Sequence, residues 1–299
     1  MTDAVLDVRT TAEVARSIRE ARQRRAKRAG LLKHVFLVVT SLVMVYPLIW
    51  MLASSLKPDN QIFGSMSLWP SEFRWENYTA GWNAMAVSFT RFFLNSTFVT
   101  VLSVIGNVIS CSFAAYAFAR LEFSGRTIWF ALMMTTLMIP YHVVLIPQYI
   151  LFLNLGWVDT YLPLIVPRFL AGDAFFIFLM VQFFRQLPRE LDEAAMIDGC
   201  SPFKIYWAII MPLSIPAMAT AAIFSFIWTW EDFLGPLVYL NDMRDYTVPL
   251  ALRSFIAQDS VSAYGQLFAM SILSILPIIV FFIIFQRLII RGIAMSGLK

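Results

Sequence analysis

The residues of this chain best equipped for chemistry are carboxylates and aromatic rings set beside long apolar runs. Glu190 and Glu193 open the segment ELDEAAMIDGCSPFKIYWAIIMPLSIP, residues 190–216, the one charged stretch between two apolar runs in the second half. Carboxylates there can hold basic groups on a partner. Arg168 and Asp173 interrupt another apolar run, and ionisable groups so placed either pair with each other or mark a solute path. Trp228, Trp230, Glu231 and Asp232 set indole faces beside carboxylates, which can stack on and hydrogen-bond a polyhydroxylated solute. The same tryptophans suit anchoring at a membrane border, so both readings stay open. Nucleophilic and metal chemistry lack their parts. His34 and His142 belong to no Ser/His/Asp arrangement. Cys111 and Cys200 have no second Cys or His at ligand spacing, so both read as packing residues, and no metal site is expected. The sequence contains no Gly-Lys dipeptide and hence no phosphate-cradling G-x-x-x-x-G-K-[ST] loop. No catalytic residue is assigned.

These residues must be held by a membrane-embedded scaffold. Of 299 residues, 59% are hydrophobic and 14% charged, against about 25% charged in soluble domains. Charge-free runs recur at 35–56, 92–119, 127–158, 205–230 and 260–286, and 160–184 is apolar apart from Arg168 and Asp173. Each is long enough for the roughly 20 residues that cross a bilayer. The expectation is an all-α membrane protein with about six transmembrane helices, over 33–55, 92–118, 127–149, 163–186, 205–228 and 265–287. Prolines 140, 147, 163, 167, 212, 216 and 277 fall within or at the ends of these spans. They predict kinks, because neighbouring helices can re-satisfy the freed carbonyls. Pro167 and Gly172 predict a break around Arg168 and Asp173, near the outer end of the fourth span.

Charge sets the orientation. With the N-terminus inside, 17 of the 23 Lys/Arg fall on the inner side, five on the outer, and Arg168 within a helix. That asymmetry places both chain ends and residues 186–204 in the cytoplasm. Residues 1–34 form a basic N-terminal segment with the cluster Arg22, Arg24, Arg25, Lys27 and Arg28. A signal peptide fits poorly, since the apolar run that follows is far too long. Contact with anionic lipid headgroups fits better, and nucleic acid is not expected as a partner. Residues 35–299 form the transmembrane domain. The outer loop 57–91 carries Trp69, Trp75 and Trp82. The loop 231–264 is polar enough to leave the bilayer, while Phe233–Leu240 within it is apolar enough to fold back.

The 190–216 segment carries its own helix punctuation. Pro188 suits a first helical position. Leu191, Ala194 and Ala195 make a narrow apolar stripe. Gly199 can take the left-handed turn that ends a helix, and Ser201-Pro202 reads as the cap and first residue of the next.

At this point a resemblance becomes specific. Glu193-Ala194-Ala195, three residues, Gly199, nine residues, Ile209, one residue, then Met211-Pro212 resembles the EAA loop of ABC-importer permeases, with Met211 where Leu is usual. Phe183–Pro188, Phe233–Asp242, Pro277–Ile290 and Ser296-Gly297 resemble the maltose-type, carbohydrate-uptake subgroup. The resemblance implies a type I importer permease fold in a bacterial inner membrane, with a second homologous permease and two ATPase subunits that hold ATP and Mg. It also implies an extracytoplasmic sugar-binding protein. It assigns Glu190, Glu193, Ala194, Ala195, Gly199, Ile209 and Pro212 to coupling with the ATPase. Asp173, Trp228, Trp230, Glu231 and Asp232 remain candidates for a substrate path. The rival reading is an ion-coupled secondary transporter, which would need intramembrane acids and broken helices in both halves.

Overall fold

A computed structural model of the chain describes residues 30–64, 67–258 and 263–296. The basic cluster Arg22–Arg28 and Gly297 of the tail lie outside the described residues. Among those described, the regular structure is helical.

The chain opens with α1 (Gly30–Ser54), the short α2 (Asp59–Ile62) and α3 (Glu76–Trp82), and then the long α4 (Phe89–Arg120). Next come α5 (Arg126–Thr136), α6 (Tyr141–Asn154) and α7 (Leu162–Ile165), which tightens into a 3-10 turn at Val166–Leu170 before α8 (Ala174–Gln186). The segment that carries the motif forms α9 (Glu190–Ile197) and α10 (Pro202–Ile205), with a π turn at Tyr206–Ile210 and then α11 (Met211–Leu213). After these follow α12 (Ile215–Trp230), α13 (Leu234–Tyr239), α14 (Val248–Gln258) and α15 (Tyr264–Ser296).

Among the described residues, four helical stretches are long and apolar enough to cross a membrane, and six if each bent pair counts as one span. The six expected spans are therefore present, but two are not single helices. The expected helix 127–149 divides into α5 and α6, bent by 99°. Pro140 is the cause: it stands in the extended conformation ahead of α6, and a proline disfavours helix in the residue before it. The expected helix 205–228 divides at Ser214 with a bend of 77° between Pro202–Leu213 and α12. Pro212 and Pro216 each lack the N–H that would bond the preceding turn, and the backbone relaxes into the π turn and the break.

The fourth span is also interrupted, through the 3-10 turn and Ala171, whose φ of 51° is a left-handed conformation unusual for a residue with a Cβ. The break falls in the first part of that span, as Pro167 and Gly172 predict, and packs beside the middle of α4. Ser103 Oγ donates to the Leu164 carbonyl (3.3 Å), and Ser110 Oγ to the Arg168 carbonyl (2.8 Å).

Helix α4 is the spine of the bundle. Its buried side is built from small and polar residues, among them Ser96, Thr100, Ser103, Gly106, Asn107, Ser112 and Ala115. Small side chains let backbones approach, and hydrogen bonds between helices replace those that water would supply elsewhere. Asn107 Nδ2 donates to Ser225 Oγ on α12 (3.2 Å), and the hydroxyls of Ser112 and Tyr206 meet at 2.6 Å. Tyr116 donates to the Pro202 carbonyl (3.0 Å). By contrast, α1 turns its side chains outward along the whole membrane-length window, and its Trp50 touches Phe268 of α15. Lys57, expected among the outer-loop charges, is 1% exposed and donates to the Ser67 carbonyl (2.5 Å). Of the outer-loop tryptophans, Trp69 and Trp75 are exposed, whereas Trp82 packs on Phe89 and Phe93. Within the 233–240 stretch, Gly235, Pro236, Tyr239 and Leu240 are buried against the bundle.

Gly106 is the tightest contact with the broken span. A Cβ there would lie 2.4 Å from the ring of Phe169. Gly106→Ala is expected to destabilise the detergent-solubilised chain by about 1–3 kcal/mol. Phe169→Ala in the same chain should recover part of the loss in a thermal-melt double-mutant cycle.

Candidate functional site

Two regions combine charge, burial and shape, and they lie at different levels along α4. The first is the end of α4 where Arg120 meets α9. The Arg120 side chain is 3% exposed, and its Nη1 donates to Asp192 Oδ2 at 3.0 Å. Its Nη2 donates to the carbonyls of Phe184 (2.6 Å) and Leu187 (2.7 Å), which close the end of α8. The Phe184 carbonyl also accepts from Leu187 N (3.2 Å), so the guanidinium adds a second donor there and caps the Leu187 carbonyl beyond the helix end. One side chain from α4 thus fastens α8 and α9 together.

Fastened in this way, α9 divides into two faces. Asp192 and Ala195, three residues apart, face inward, and Ala195 packs in a core with Tyr116, Phe184, Ile205 and Tyr206. Glu190, Glu193, Ala194 and Gly199 are exposed. Ile197 is 87% exposed, with Met196 and Phe203 also open, so the outward face mixes acids with apolar side chains. Gly199 has φ 76° and nothing within 4 Å of where a Cβ would sit. Its role is conformational: it takes the left-handed turn that ends α9. The expected cap at Ser201 is present, accepting from Lys204 N, with Pro202 in the first turn. Pro188 stands two residues ahead of α9 rather than at its first position, because Arg189 occupies the cap.

The second region is a cavity of about 340 Å³ walled by α4, α6, α7 with its 3-10 turn, the end of α12, and α13. Arg168 Nη1 lies 3.3 Å from Asp173 Oδ2. Asp232 Oδ1 accepts from Gly235 N (3.1 Å) at the start of α13. Burial pushes the Asp232 carboxyl above the usual carboxylate range, while the Gly235 N–H and the Arg168 guanidinium pull it back. The 99° bend between α5 and α6 is what brings Tyr141 and Gln148 into this wall. Tyr239 of α13 stacks on Tyr149 of α6, closing one side.

The profile of the family described as "Binding-protein-dependent transport system inner membrane component" matches residues 106–295. The chain belongs to this family. The matched stretch begins at Gly106 and takes in the Arg120–Asp192 region and every wall of the cavity except that of α4. The chain is 33% identical to the probable ABC transporter permease protein YurM of Bacillus subtilis (strain 168), over 89% of this chain and 87% of that one. It is 32% identical to the trehalose/maltose transport system permease protein MalG of Thermococcus litoralis, over 91% of this chain and 99% of that one. Its fold is similar, with a TM-score of 0.76 at 22% identity, to a chain in the crystal structure of a bacterial ABC transporter that imports the acidic polysaccharide alginate. That likeness covers 86% of this chain and 95% of the other. This family member is therefore an inner-membrane component of an importer, with the permease fold that the EAA-like segment implied.

The residues singled out from sequence fall into distinct places in this permease. Of the segment expected to couple, four residues are exposed on α9 and its corner, and Ala195 is buried against the chain's own core. Ile209 is half-buried against that core, and Pro212 lines an apolar groove with Met218 and Phe285. Of the candidate path residues, Asp173 and Asp232 share the cavity. Trp230 is a core residue, 3% exposed, stacked on Phe226 and donating to the Ser274 carbonyl (2.9 Å). Trp228 is half-exposed among Phe175, Phe176 and Phe224, and Glu231 is exposed beyond the end of α12. Sequence reasoning passed over Arg120 and Asp192. The signal was present, since Arg120 ends a charge-free run and Asp192 shares a helical face with Ala195.

Removing one member of a buried ion pair strands the other, at a cost of about 3–5 kcal/mol. Arg120→Leu is therefore expected to lower the melting temperature of the solubilised permease and to make α9 accessible to protease. Asp192→Asn, which keeps an acceptor for Arg120, should do so to a smaller extent.

Proposed function

We propose that this chain is the membrane-spanning permease subunit of an ATP-driven importer of a sugar or oligosaccharide. Two partner ATPase subunits bind ATP with Mg and hydrolyse it, and this chain supplies no ATPase site. A second, homologous permease completes the membrane portion, and an extracytoplasmic sugar-binding protein delivers the substrate. The chain lies in the bacterial plasma membrane among its lipids, with both ends and α9 in the cytoplasm.

The observation that carries this reading is the state of α9. It is fixed from behind by a buried guanidinium yet exposes Glu190, Glu193, Ala194 and Gly199 on its free side. A short helix with that exposed face fits a groove on a soluble partner, the small Ala194 permitting close approach and the glutamates meeting basic groups. Pulling α9 then moves the bundle, and the outward-open and inward-open populations shift. The linkage is reciprocal, so a loaded binding protein outside favours ATPase closure inside. Sugar as the cargo is supported by the trehalose/maltose relative. The ion-coupled alternative loses its ground with family membership, since its one supporting feature, Asp173 in a broken helix, is engaged with Arg168.

Glu193→Lys and Ala194→Trp are expected to weaken co-purification of the ATPase about tenfold, equivalent to about 1.4 kcal/mol, with membrane insertion unchanged. Normal co-purification in both variants would refute docking through α9. In proteoliposomes, the complete importer should hydrolyse ATP faster when its binding protein is loaded with a transported member of a panel of maltose, trehalose and cellobiose. Uptake that continues without any ATPase subunit would overturn the assignment.

A further inference from the structure

We infer that the apolar groove beside the break at Ser214 seats one acyl chain of an anionic phospholipid, whose headgroup is held by Lys204 and Arg287. The inference takes one element from the reading above, that α9 and α10 lie at the cytoplasmic face, and adds a lipid ligand to it.

The groove has a volume of about 430 Å³ and is walled by α4, α11, α12 and α15. Its shape follows from the sequence. The 77° bend carries α11 away from the line of α12, and Pro212 and Pro216 have no N–H with which to hold the turn closed. Ile215, Met218, Ala219 and Ala222 stand at i, i+3, i+4 and i+7 of α12 and form one stripe. Two of the four are alanines, so the stripe is hollow where Phe285 and Leu288 of α15 face it. Every lining side chain is apolar, so water gains no side-chain hydrogen bond there. The groove opens outward, with Pro212 exposed and Ile215 48% exposed. Left empty, its walls would lose dispersion contacts on one side, and a hydrocarbon chain restores them.

Charge identifies the occupant. Lys204, Trp207 and Met211 follow at spacings of three and four residues along Pro202–Leu213, so they share one strip of its surface. Lys204 and Trp207 are exposed, and Met211 lines the groove. The strip thus reads ammonium, indole, apolar groove, the order of a phospholipid from headgroup through interface to chain. On the facing wall, α15 runs back alongside α12 and brings exposed Arg287, next to Leu288, to the α11 end of the groove. Neither Lys204 nor Arg287 is ion-paired among the described residues. These flanking cations favour a phospholipid over a partner helix, since a phosphate answers both and an apolar helix answers neither.

The test uses the assembled importer in nanodiscs of phosphatidylcholine that carry a minor fraction of phosphatidylglycerol with a photoactivatable diazirine in its acyl chain. Crosslinked residues are mapped by mass spectrometry, and phosphatidylcholine bearing the same diazirine is the control. Phosphatidylglycerol is expected to label Met218, Phe285 or Leu288 well above the control. Lys204→Gln combined with Arg287→Gln should reduce that labelling about five- to tenfold. Ala222→Leu, which fills the groove, should reduce it with either headgroup, while labelling of the outward side chains of α1 stays unchanged in both variants. Equal groove labelling by the two lipids, or labelling that survives the paired charge substitution, overturns the inference. Labelling seen in the isolated chain and lost on assembly assigns the groove to the second permease and overturns it too. The placement it rests on is checked separately: a membrane-impermeant maleimide should reach Lys204→Cys, in a Cys200→Ala background, from the cytoplasmic side only. Labelling from the outer side would remove the cytoplasmic placement of α9 and α10 instead.

Discussion

A single guanidinium removed from water holds α8 and α9 in place at the end of α4. Arg120 comes from the last turn of α4, caps two carbonyls at the end of α8 and balances Asp192 on α9. Taking these charges into the protein is unfavourable unless the partners are placed well, so the interaction tolerates few geometries. Arg120 Nε and Asp192 Oδ1 have no hydrogen-bond partner among the described residues. The pair is therefore better understood as setting a geometry than as maximising stability. Its consequence is mechanical: α9 cannot tilt independently of α4 and α8.

What is fastened at one end is jointed elsewhere. From Thr100 at the cavity wall to Arg120 at the clamp, α4 runs about 30 Å at 1.5 Å per residue. It is a continuous helix throughout, bonded sideways to α12 and to the π turn through Asn107 and Ser112. The elements packed around it are interrupted: α5 from α6, α11 from α12 at Ser214, and α7 from α8 at Ala171. Under the proposed docking, a force on α9 enters the stiff element directly, and the breaks are where neighbouring segments can change direction. Two of those three breaks border the cavity, so the joints and the cavity occupy the same part of the bundle.

Some of this was readable from the chain because it is local. Gly199 followed by Ser201-Pro202 specifies a corner through backbone preferences that act within a few residues, and the corner is present. The number of spans follows from run lengths against bilayer thickness. The prolines announced interruptions, but the angles of 99° and 77° depend on what the freed segments pack against. The same limit applies to the tryptophans. Trp228 and Trp230 are two residues apart and look alike in sequence, yet one is half-exposed and the other sits in the core against Phe226.

Composition and run lengths by themselves determined a helical membrane protein, and charge asymmetry and the EAA-like spacing set the expectations for its orientation and for the segment offered to a partner. These depend on water–bilayer partition and on short-range backbone preference, both carried residue by residue. Only the tertiary structure decided which carboxylate of 190–198 turns inward, that Arg120 reaches it across 72 positions of sequence, and that Thr100, Asp173, Asp232, Tyr239 and Thr247 share one wall. The reason is that burial and pairing are properties of neighbours in space. In a chain whose apolar runs all resemble one another, those neighbours are chosen by small residues, hydrogen bonds and helix breaks acting together.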